Sequence, residues 1–422
     1  MNYFDYKNGK LNVEFLPISE IEKEVGTPFY CYSVSSIVDQ FRAFSSAVNT
    51  ISNTICYAVK ANSNLAVIRT LAILGAGADV VSEGELVRAL KSGISANKIV
   101  FSGVGKTESE LRLALDKKIL QINIESESEL ERINNVARSK GVVAPVALRV
   151  NPNVDAKSHD KISTGRKGDK FGVEWENINR LYSLASELPY VEPVGLAMHI
   201  GSQLTTLSPF KAAFTKLKHS TIKLRERGFN VKRLDLGGGL GIAYDPKTQL
   251  PSPADYGELL IDIFEKIGCE IILEPGRLLV GNSGILVTKI IDVKSSGTQN
   301  FVIVDAAMND LMRPSLYDAE HMIIPIVENK DKKGNSDLID IVGPVCESAD
   351  KFASRLSFSP LQVGDLLAIC SAGAYGAVMA STYNSRPLIP EVLVKGDQYS
   401  VIRKRVNTEE MLNYERMPDW LS

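Results

Sequence analysis

Short apolar segments alternate with segments of helical periodicity between residues 55 and 275. The apolar segments end near eight positions, which are Lys60, Ser82, Ser102, Ile124, Asn151, Ile200, Gly237 and Pro275. Each of the first seven is followed by apolar residues at helical spacing, as in residues 85–90. Eight strand-helix units favour an α/β fold built as a closed parallel (β/α)8 barrel of the TIM type over an open sheet. A further helix is predicted before the first strand, around residues 36–48.

The pattern changes after about Leu278, where β-type runs separated by glycine replace the alternation. The clearest runs cover residues 285–293, 301–304 and 366–369. They predict a mainly β C-terminal domain of sandwich or barrel type, to which residues 12–15 could add a strand. We therefore divide the chain into an N-terminal segment (1–34), a barrel domain (35–277) and a β domain (278–422). The charged stretch 330–335 is most simply an exposed hairpin or loop.

Composition excludes several classes of function. The 48 Lys and Arg nearly balance the 50 Asp and Glu, so the net charge of −2 provides no field that would attract nucleic acid or an anionic membrane. Five cysteines without a CxxC pair, together with only four histidines, predict reduced thiols and no metal site. The first residues show no export signal, and no later segment approaches the length of a membrane span. We expect a cytoplasmic protein that acts on a small molecule.

Lys60 is the strongest candidate for a reactive amine. It ends the apolar run 55–60 and is followed directly by a turn-forming stretch, residues 61–64. Burial at the end of a strand disfavours an ammonium ion, and a neutral amine can form a Schiff base with pyridoxal 5'-phosphate. The alternative is a strand-end lysine whose charged end simply reaches solvent.

The seventh and eighth strand ends are compatible with a phosphate site. The glycine run 237–241 includes Gly238 and Gly239, and it predicts backbone N–H groups that point together at an anion. Gly276 and Arg277 follow the eighth strand, and barrels of this type commonly build phosphate sites from their last two loops. Glu274, just before them, would keep a pyridine nitrogen protonated and so make the ring an electron acceptor. No nicotinamide or flavin fingerprint follows the first strand.

Further candidate residues each have a structural alternative. His199, after the sixth strand, could stack on the cofactor ring or be an ordinary structural histidine. Arg313 and Tyr317 could bind a carboxylate, although a surface arginine is the simpler interpretation on spacing alone. Cys346, next to Glu347, could be an acid or an inert packing residue.

Tyr375 lies in a loop of small residues, where its hydroxyl could approach a phosphate or belong to the core.

Six motifs in order along the chain resemble those of the alanine-racemase-like (fold type III) pyridoxal-phosphate decarboxylases. The motifs are Tyr57-Ala58-Val59-Lys60-Ala61-Asn62, His199-Ile200-Gly201-Ser202, Gly237-Gly238-Gly239, Glu274-Pro275-Gly276-Arg277, Gly343-Pro344-Val345-Cys346-Glu347 and Ala374-Tyr375-Gly376. Within that family, Cys346-Glu347-Ser348 is similar to the subfamily that acts on meso-2,6-diaminopimelate, whereas ornithine decarboxylases typically have an aspartate after the cysteine. Residues 162–165 and 170–172 are similar to the same subfamily.

The resemblance implies roles for individual residues. It assigns the covalent bond with the cofactor to Lys60, the stacking on its ring to His199 and the partner of its pyridine nitrogen to Glu274. Phosphate contacts are implied for the glycine run at Gly238 and Gly239 and for three further positions, Ser202, Gly276 and Tyr375. The distal amine and carboxylate of the substrate would be held by four residues, Arg277, Arg313, Tyr317 and Glu347. It also implies a homodimer in which Cys346 and Glu347 reach the cofactor bound to the other subunit.

The reaction implied is the decarboxylation of meso-2,6-diaminopimelate to L-lysine and carbon dioxide, the last step of lysine biosynthesis, with Cys346 as general acid. Two alternatives remain open at the level of the sequence. One is a related decarboxylase acting on ornithine, arginine or carboxynorspermidine. The other is a catalytically silent relative that binds a regulatory protein. The stretch 159–171 is interpreted either as a lid over the site or as a solvated loop.

Overall fold

The computed structural model describes residues 3–154, 165, 168–297, 299–328 and 337–421. Two compact units make up the chain. The first consists of residues 38–243 and 249–279, and the second consists of residues 1–37, 244–248 and 280–422. The predicted loop at 330–335 and the motif residues 162–164 lie outside the described residues, as does most of the predicted lid at 159–171.

The first unit is a closed barrel of eight parallel strands, as the alternating pattern predicts. Its strands are Asn53–Ala58, Gly77–Val80, Ile99–Phe101, Gln121–Ile124, Ala144–Asn151, Val191–Ala197, Arg233–Asp235 and Glu270–Leu273. Neighbours in the chain are neighbours in the barrel, and the eighth strand pairs with the first in parallel register, Ile271 opposite Asn53. The fourth and fifth strands end at the predicted residues, Ile124 and Asn151. The other six end one to three residues earlier, because the residues that follow turn toward the next helix instead of continuing the ladder.

A helix follows each of the first seven barrel strands, which confirms the second half of the prediction. These helices are Leu65–Ile73, Glu83–Lys91, Glu108–Lys117, Glu127–Lys140, Ile178–Glu187, Ser208–Glu226 and Pro253–Phe264. Several begin at a hydroxyl side chain that accepts a backbone N–H, and Thr107 and Ser252 complete full capping boxes. A short helix, Arg277–Val280, begins where the eighth strand has ended. The helix predicted at 36–48 is observed as Val34–Ala47.

The second unit is mainly β, as predicted. Its larger sheet runs in the order Lys351–Phe358, Asp337–Val342, Gln299–Val304, Gly284–Ser296, Phe29–Ser33, Glu391–Lys395 and Gln398–Arg403. Leu366–Ile369 pairs with both Gly284–Ser296 and Ile323–Pro325. The three strands Phe4–Lys7, Lys10–Val13 and Leu16–Pro17 form a separate small sheet. The helices of this unit that lie outside the sheets are Ile18–Val25, Arg313–Tyr317 and Thr408–Leu412.

One apolar core joins the early residues of the second unit to its later strands. Phe29 and Cys31 of the strand Phe29–Ser33 are fully buried beside Ile285, Val287 and Val392. Alternating inward side chains from neighbouring strands produce this packing. Among the helices that the structure describes, none is long and apolar enough to cross a bilayer.

Candidate active site

Lys60 lies in a rigid turn at the carboxyl end of the first barrel strand. The strand Asn53–Ala58 ends two residues earlier, and Lys60 is the middle residue of a single 3-10 turn. The hydroxyl of Tyr57 donates a hydrogen bond to the carbonyl of Asn62 at 2.9 Å and closes the turn. Asn64 then caps the following helix by accepting the N–H of Ala66 at 3.0 Å. Each turn-forming residue therefore helps to hold the lysine in place.

The amine of Lys60 is paired with a buried carboxylate. Its Nζ lies 2.6 Å from Oδ2 of Asp79, and the Asp79 side chain is completely buried. The Lys60 side chain is 36% exposed, so the structure does not show the full burial from which the sequence predicts a neutral amine. An ammonium form of Lys60 would be stabilised by the opposite charge of its neighbour. The second oxygen of Asp79 has no hydrogen-bond partner among the described residues.

A cavity of about 330 Å³ opens beside Lys60 at the carboxyl ends of the barrel strands. Its walls are formed by Lys60, Val81, Ser102, Gly103, Val104, Asn123, Arg149, Phe171, Ala197, Met198, His199, Asp235 and Glu274. The volume lies in the range of pockets that hold small organic cofactors. This is also the face at which barrels of this type carry their reactive groups.

Two buried carboxyl groups, Asp235 and Glu274, form the polar part of the cavity wall. Burial raises the pKa of Glu274 well above its ordinary value, and the negative charges of Asp235 and Asp79 raise it further. Burial also raises the pKa of Asp235, to about 6, while hydrogen bonds oppose that shift. The two side chains share a hydrogen bond, which requires a proton on one of them, and the direction of the shifts places it on Glu274.

Neighbouring polar side chains fix the position of this pair. Asn123 donates to Asp235 at 2.7 Å and to Ser102 at 3.1 Å. Ser102 donates in turn to Glu274 at 3.4 Å, and the N–H of Gly237 donates to Asp235 at 3.0 Å. The pair is therefore held by two side chains from the third and fourth strands or strand ends and by one backbone N–H, which limits its freedom to turn away from the cavity.

His199 is partly exposed and faces the same cavity. Its Nδ1 accepts the N–H of Gly238 at 3.3 Å, so this nitrogen carries no proton. Loss of hydration in the cavity wall lowers the pKa of His199 well below its ordinary value, and the nearby cations Arg149 and Lys60 lower it further. The ring is therefore neutral. Gly237 is required for this packing because a Cβ at that position would lie 2.7 Å from Nδ1.

The glycine run meets the loop that follows His199, but fewer of its N–H groups point outward than predicted. The N–H groups of Gly237, Gly238 and Gly241 donate to Asp235, His199 and the carbonyl of Leu204. Among the four glycines of the run, Gly239 is the one whose N–H has no acceptor among the residues that the structure describes. Its φ of +121° is one that glycine adopts without strain.

Three of the remaining predicted residues lie next to these loops. The guanidinium of Arg277 donates to the hydroxyl of Ser202 at 3.1 Å, which joins the loops after the sixth and eighth strands. Gly276 packs against the turn of Lys60, since a Cβ there would lie 3.0 Å from Cβ of Ala58. In the barrel unit, the structure thus brings Lys60, His199, Ser202, the glycine run, Glu274, Gly276 and Arg277 to the same end of the strands.

The other predicted residues belong to the second unit. Arg313 and Tyr317 begin and end the helix Arg313–Tyr317, and the Arg313 side chain is buried. Tyr375 follows the strand Leu366–Ile369 with a φ of +55°, a conformation that non-glycine residues rarely adopt. Strain of this kind is frequent at functional sites.

Cys346 and Glu347 lie in an exposed loop of the second unit that is organised by Asp350. Cys346 is the exposed member of the five free cysteines. The carboxylate of the buried Asp350 accepts the N–H groups of Val345 and Met308, each at 2.7 Å. The N–H of Cys346 itself donates to Asn384 at 3.1 Å. The thiol is thus held at the surface on a well-defined backbone.

Several side chains of the site were missed by the sequence analysis. Asp79 is the clearest, since it is a carboxylate inside the apolar run 77–80, three residues before the second predicted strand end at Ser82. A charged residue inside a buried strand is rare without a partner, and that was the available signal. No comparable signal marked Asn123 and Ser102, which are ordinary polar residues near strand ends. Asp235 was recognised only as the start of the glycine run.

Comparison with known proteins gives a consistent result. The family model for the pyridoxal-binding domain of pyridoxal-dependent decarboxylases matches residues 34–281. A diaminopimelate decarboxylase from Aquifex aeolicus is 46% identical over 405 residues, which cover 96% of this chain and 95% of that protein. A diaminopimelate decarboxylase from Vibrio cholerae is also 46% identical, over 407 residues covering 96% of each chain.

Solved structures extend this agreement to the fold. The diaminopimelate decarboxylase of Helicobacter pylori, complexed with L-lysine, superimposes with a TM-score of 0.90 at 42% identity and covers 94% of this chain and 98% of its own. That of M. jannaschii, in co-complex with L-lysine, gives a TM-score of 0.95 at 37% identity and covers 100% and 99%. The chain therefore belongs to the pyridoxal-dependent decarboxylases and, within that family, to the group formed by the diaminopimelate decarboxylases.

Proposed function

We propose that the protein catalyses the pyridoxal-phosphate-dependent decarboxylation of meso-2,6-diaminopimelate to L-lysine and carbon dioxide, the last step of lysine biosynthesis. The observation that carries the proposal is an amine, Lys60, at the edge of a cavity whose wall holds the buried pair Asp235 and Glu274. The relatives named diaminopimelate decarboxylase, two of which are known in complex with L-lysine, favour this substrate.

The residues of the cavity fit pyridoxal phosphate. The negative charges of Asp79 and Asp235 raise the pKa of the buried Glu274, and a cationic ring nitrogen beside Glu274 would relieve this repulsion. The neutral ring of His199 can lie against a cationic ring without charge repulsion. Gly239, which has no side chain and whose N–H has no acceptor among the described residues, suits the close approach of a phosphate.

Each residue then has a defined task. Lys60 would hold the cofactor covalently through Nζ, and Asp79 would hold Lys60. Glu274 would pass its proton to the ring nitrogen and remain as the facing carboxylate, with Asp235 supporting it. When bound, pyridoxal phosphate supplies an electron-accepting ring for the electron pair left by the departing carboxyl group.

Phosphate contacts are proposed for Ser202, Gly238, Gly239, Gly276, Arg277 and Tyr375.

Recognition of the far end of the substrate is the proposed source of selectivity. Arg277 and Arg313 would bind the distal carboxylate, and Glu347 the distal amine, with Tyr317 beside them. A diamine without that carboxylate would bury the guanidinium groups without their anionic partner, which is costly. Holding the distal end also orients the bond to the departing carboxyl group.

Cys346 is proposed to return a proton from Sγ to the carbon that has lost its carboxyl group. Its exposed position in the loop supported by Asp350 suits a thiol that completes the cofactor site of a second subunit. We propose on this basis a homodimer with shared sites, located in the cytoplasm. Residues 35–277 would form the cofactor-binding domain and residues 278–422 the β domain, with segment 1–34 packed on the latter.

The direct experiment is to incubate the purified protein with pyridoxal phosphate and a panel of amino acids. We expect L-lysine and carbon dioxide from meso-diaminopimelate, and values of kcat/KM at least about 10³-fold lower for ornithine, arginine and carboxynorspermidine, because a buried site that lacks its partner discriminates strongly. The variant Lys60→Ala is the blank. Preferred turnover of another member of the panel would transfer the proposal to that substrate class, and no turnover of any member would refute it.

A further inference from the structure

Arg313 is held by two side chains of its own unit. Its Nε donates to Nε2 of His321 at 3.3 Å. Its guanidinium carbon lies 5.0 Å from the centre of the Tyr244 ring, a cation–π distance. The rings of Tyr244 and His321 also contact each other edge to face, with centres 5.1 Å apart. The three residues form one cluster, which we call the Arg313 clamp.

The hydrogen bonds of His321 determine its tautomer. Arginine is only a donor, so Nε2 of His321 must be the acceptor and carry no proton. The opposite nitrogen, Nδ1, lies 2.8 Å from the carbonyl oxygen of Cys370, which is only an acceptor, so Nδ1 carries the proton. His321 is therefore a neutral bridge with one defined orientation between a backbone carbonyl and the guanidinium.

The bridge is attached to a rigid part of the fold. Residue 321 lies two positions before the strand Ile323–Pro325, and the N–H of Cys370 donates to the carbonyl of Met322 between them at 2.8 Å. Both His321 and Cys370 are buried. A side chain that is fixed by sheet hydrogen bonds can hold another to within a fraction of an ångström, whereas an arginine otherwise loses considerable rotamer freedom on binding.

The clamp also selects which face of Arg313 can meet an anion. With Nε bound to His321, the fork formed by Nη1 and Nη2 is the one that can take a carboxylate through two parallel hydrogen bonds. Tyr317 lies four residues later, at the other end of the same short helix, and therefore on the same side of it. The hydrogen bond between the side chains of residues 313 and 321 links the first residue of this helix to the segment that follows it.

We propose that His321 is a positioning residue for the distal carboxylate of the substrate, acting through Arg313. This inference rests on the proposed function and deepens it, because it names the group that distinguishes a substrate with a distal carboxylate from a simple diamine. His321 makes no contact with the reacting atoms in this role. Its loss weakens recognition of the far end and leaves the chemical step intact.

L-Lysine provides a test without turnover, because it keeps the distal carboxylate, whereas 1,5-diaminopentane lacks it. The holoenzyme with His321→Asn retains a group that can donate to the Cys370 carbonyl but loses the acceptor for Arg313. We expect the inhibition constant of L-lysine and the KM of meso-diaminopimelate to rise about tenfold, the usual effect of losing one hydrogen bond to a charged group. The inhibition constant of 1,5-diaminopentane and kcat should stay within about twofold of the wild type, since neither depends on that hydrogen bond.

Two further variants keep the test decisive. His321→Gln places an amide oxygen near the position of Nε2 and should restore L-lysine binding to within about threefold of the wild type, since the hydrogen bond is regained. In an Arg313→Lys background, which lacks the planar fork, His321→Asn should add little, because coupled residues are not additive. His219→Asn, an exposed histidine on the helix Ser208–Glu226, is the matched control.

Unchanged L-lysine binding in His321→Asn would overturn the inference, and so would an equal weakening of both inhibitors, which a general structural defect would produce. If His321→Asn fails to fold, His321→Gln decides, since an inhibition constant of L-lysine raised well beyond threefold in that variant, with 1,5-diaminopentane weakened equally, would overturn the inference. Suppose that the wild type converts meso-diaminopimelate and that His321→Asn has the wild-type ratio of the inhibition constants of L-lysine and 1,5-diaminopentane. Only the His321 inference then fails. If the wild type does not convert it, the proposed function fails first.

Discussion

Nζ of Lys60 lies 2.6 Å from Oδ2 of Asp79, whose strand is the neighbour of the one that leads into the lysine turn. The amine of Lys60 is therefore already close to a carboxylate, that of Asp79, before a cofactor binds. An ammonium ion cannot attack an aldehyde, so the ion pair both positions Lys60 and keeps it in the unreactive form until the proton leaves. This relationship gives the first prediction.

We expect Asp79→Asn to move the pH dependence of cofactor binding to lower pH, because the amide no longer stabilises the ammonium form of Lys60. Stopped-flow absorbance after mixing the cofactor-free protein with pyridoxal phosphate, at a series of pH values, measures this. Asp116→Asn is a suitable control, since Asp116 pairs with Lys140 at 2.5 Å on the exposed surface. A pH profile that matches the wild type would mean that Asp79 does not govern the amine.

The second prediction concerns stability and pH in the cofactor-free protein. Asp235 has a folded pKa of about 6 against an ordinary value of 3.8, so between these values the folded state binds more protons than the unfolded state. The contribution of Asp235 to the free energy of unfolding therefore falls as pH rises from about 4 to about 6. Denaturant titrations across this range should show a flatter dependence for Asp235→Asn than for the wild type.

The control for that measurement is Asp255→Asn. Hydrogen bonds from Ser252 lower the pKa of this exposed carboxyl, so its titration lies below the window. The slope between pH 4 and 6 should survive in Asp255→Asn. If Asp235→Asn keeps the wild-type slope as well, another group is responsible and the shared proton of the Asp235 and Glu274 pair is assigned wrongly.

Cys346→Ala is expected to bind cofactor and L-lysine normally and to turn over about 10²- to 10⁴-fold more slowly, the usual contribution of a general acid. Cys370→Ala, which removes a buried thiol of the same unit, is the control and should keep kcat. Normal turnover in Cys346→Ala would remove this residue from the mechanism.

The same variant tests the shared site. A refolded equimolar mixture of Cys346→Ala and Lys60→Ala chains should recover about a quarter of the wild-type activity, because half of the random dimers contain one intact composite site of two. Each variant alone should remain nearly inactive. Absence of any recovery in dimers shown to be mixed would contradict the shared site.

Gly238→Ala is expected to lower stability by about 1–3 kcal/mol, the usual cost of overpacking, and to weaken cofactor binding. A Cβ at this position would lie 2.2 Å from the carbonyl oxygen of Glu274, which belongs to backbone that cannot move aside cheaply. In Gly84→Ala the nearest atom is 3.9 Å away within a helix, so stability should be unchanged or slightly raised. Thermal unfolding of both variants measures this difference. Equal midpoints for Gly238→Ala and Gly84→Ala would show that the close approach of residue 238 to the backbone of Glu274 is not essential for stability.

The sequence predicted the barrel well because strand and helix periodicities are local properties that burial reinforces. The eight strand ends brought Lys60, His199, Glu274 and the glycine run to one face through topology alone. Less predictable were interactions that depend on register between distant strands. Asp79 reaches Lys60 only because residue 79 is opposite residue 58 in the ladder.

The Arg313 clamp was not predictable from sequence. Residues 313 and 321 are only eight positions apart, but residue 244 comes from a distant part of the chain, and only the folded second unit brings the three together. His321 lies in no motif that carried the family resemblance. The glycine run was predicted only in part. The sequence indicated its backbone freedom but could not show that three of its N–H groups donate to other residues of the protein.

The covalent role of Lys60 is tested by borohydride reduction of the protein loaded with pyridoxal phosphate, followed by mass analysis of its peptides. We expect a stable cofactor adduct on the peptide that contains Lys60. The adduct should be absent in Lys60→Arg, which keeps the charge beside Asp79, and present in Lys98→Arg, the same exchange at an exposed site. An adduct on a different lysine of the wild type, or one that persists in Lys60→Arg, would contradict the central claim.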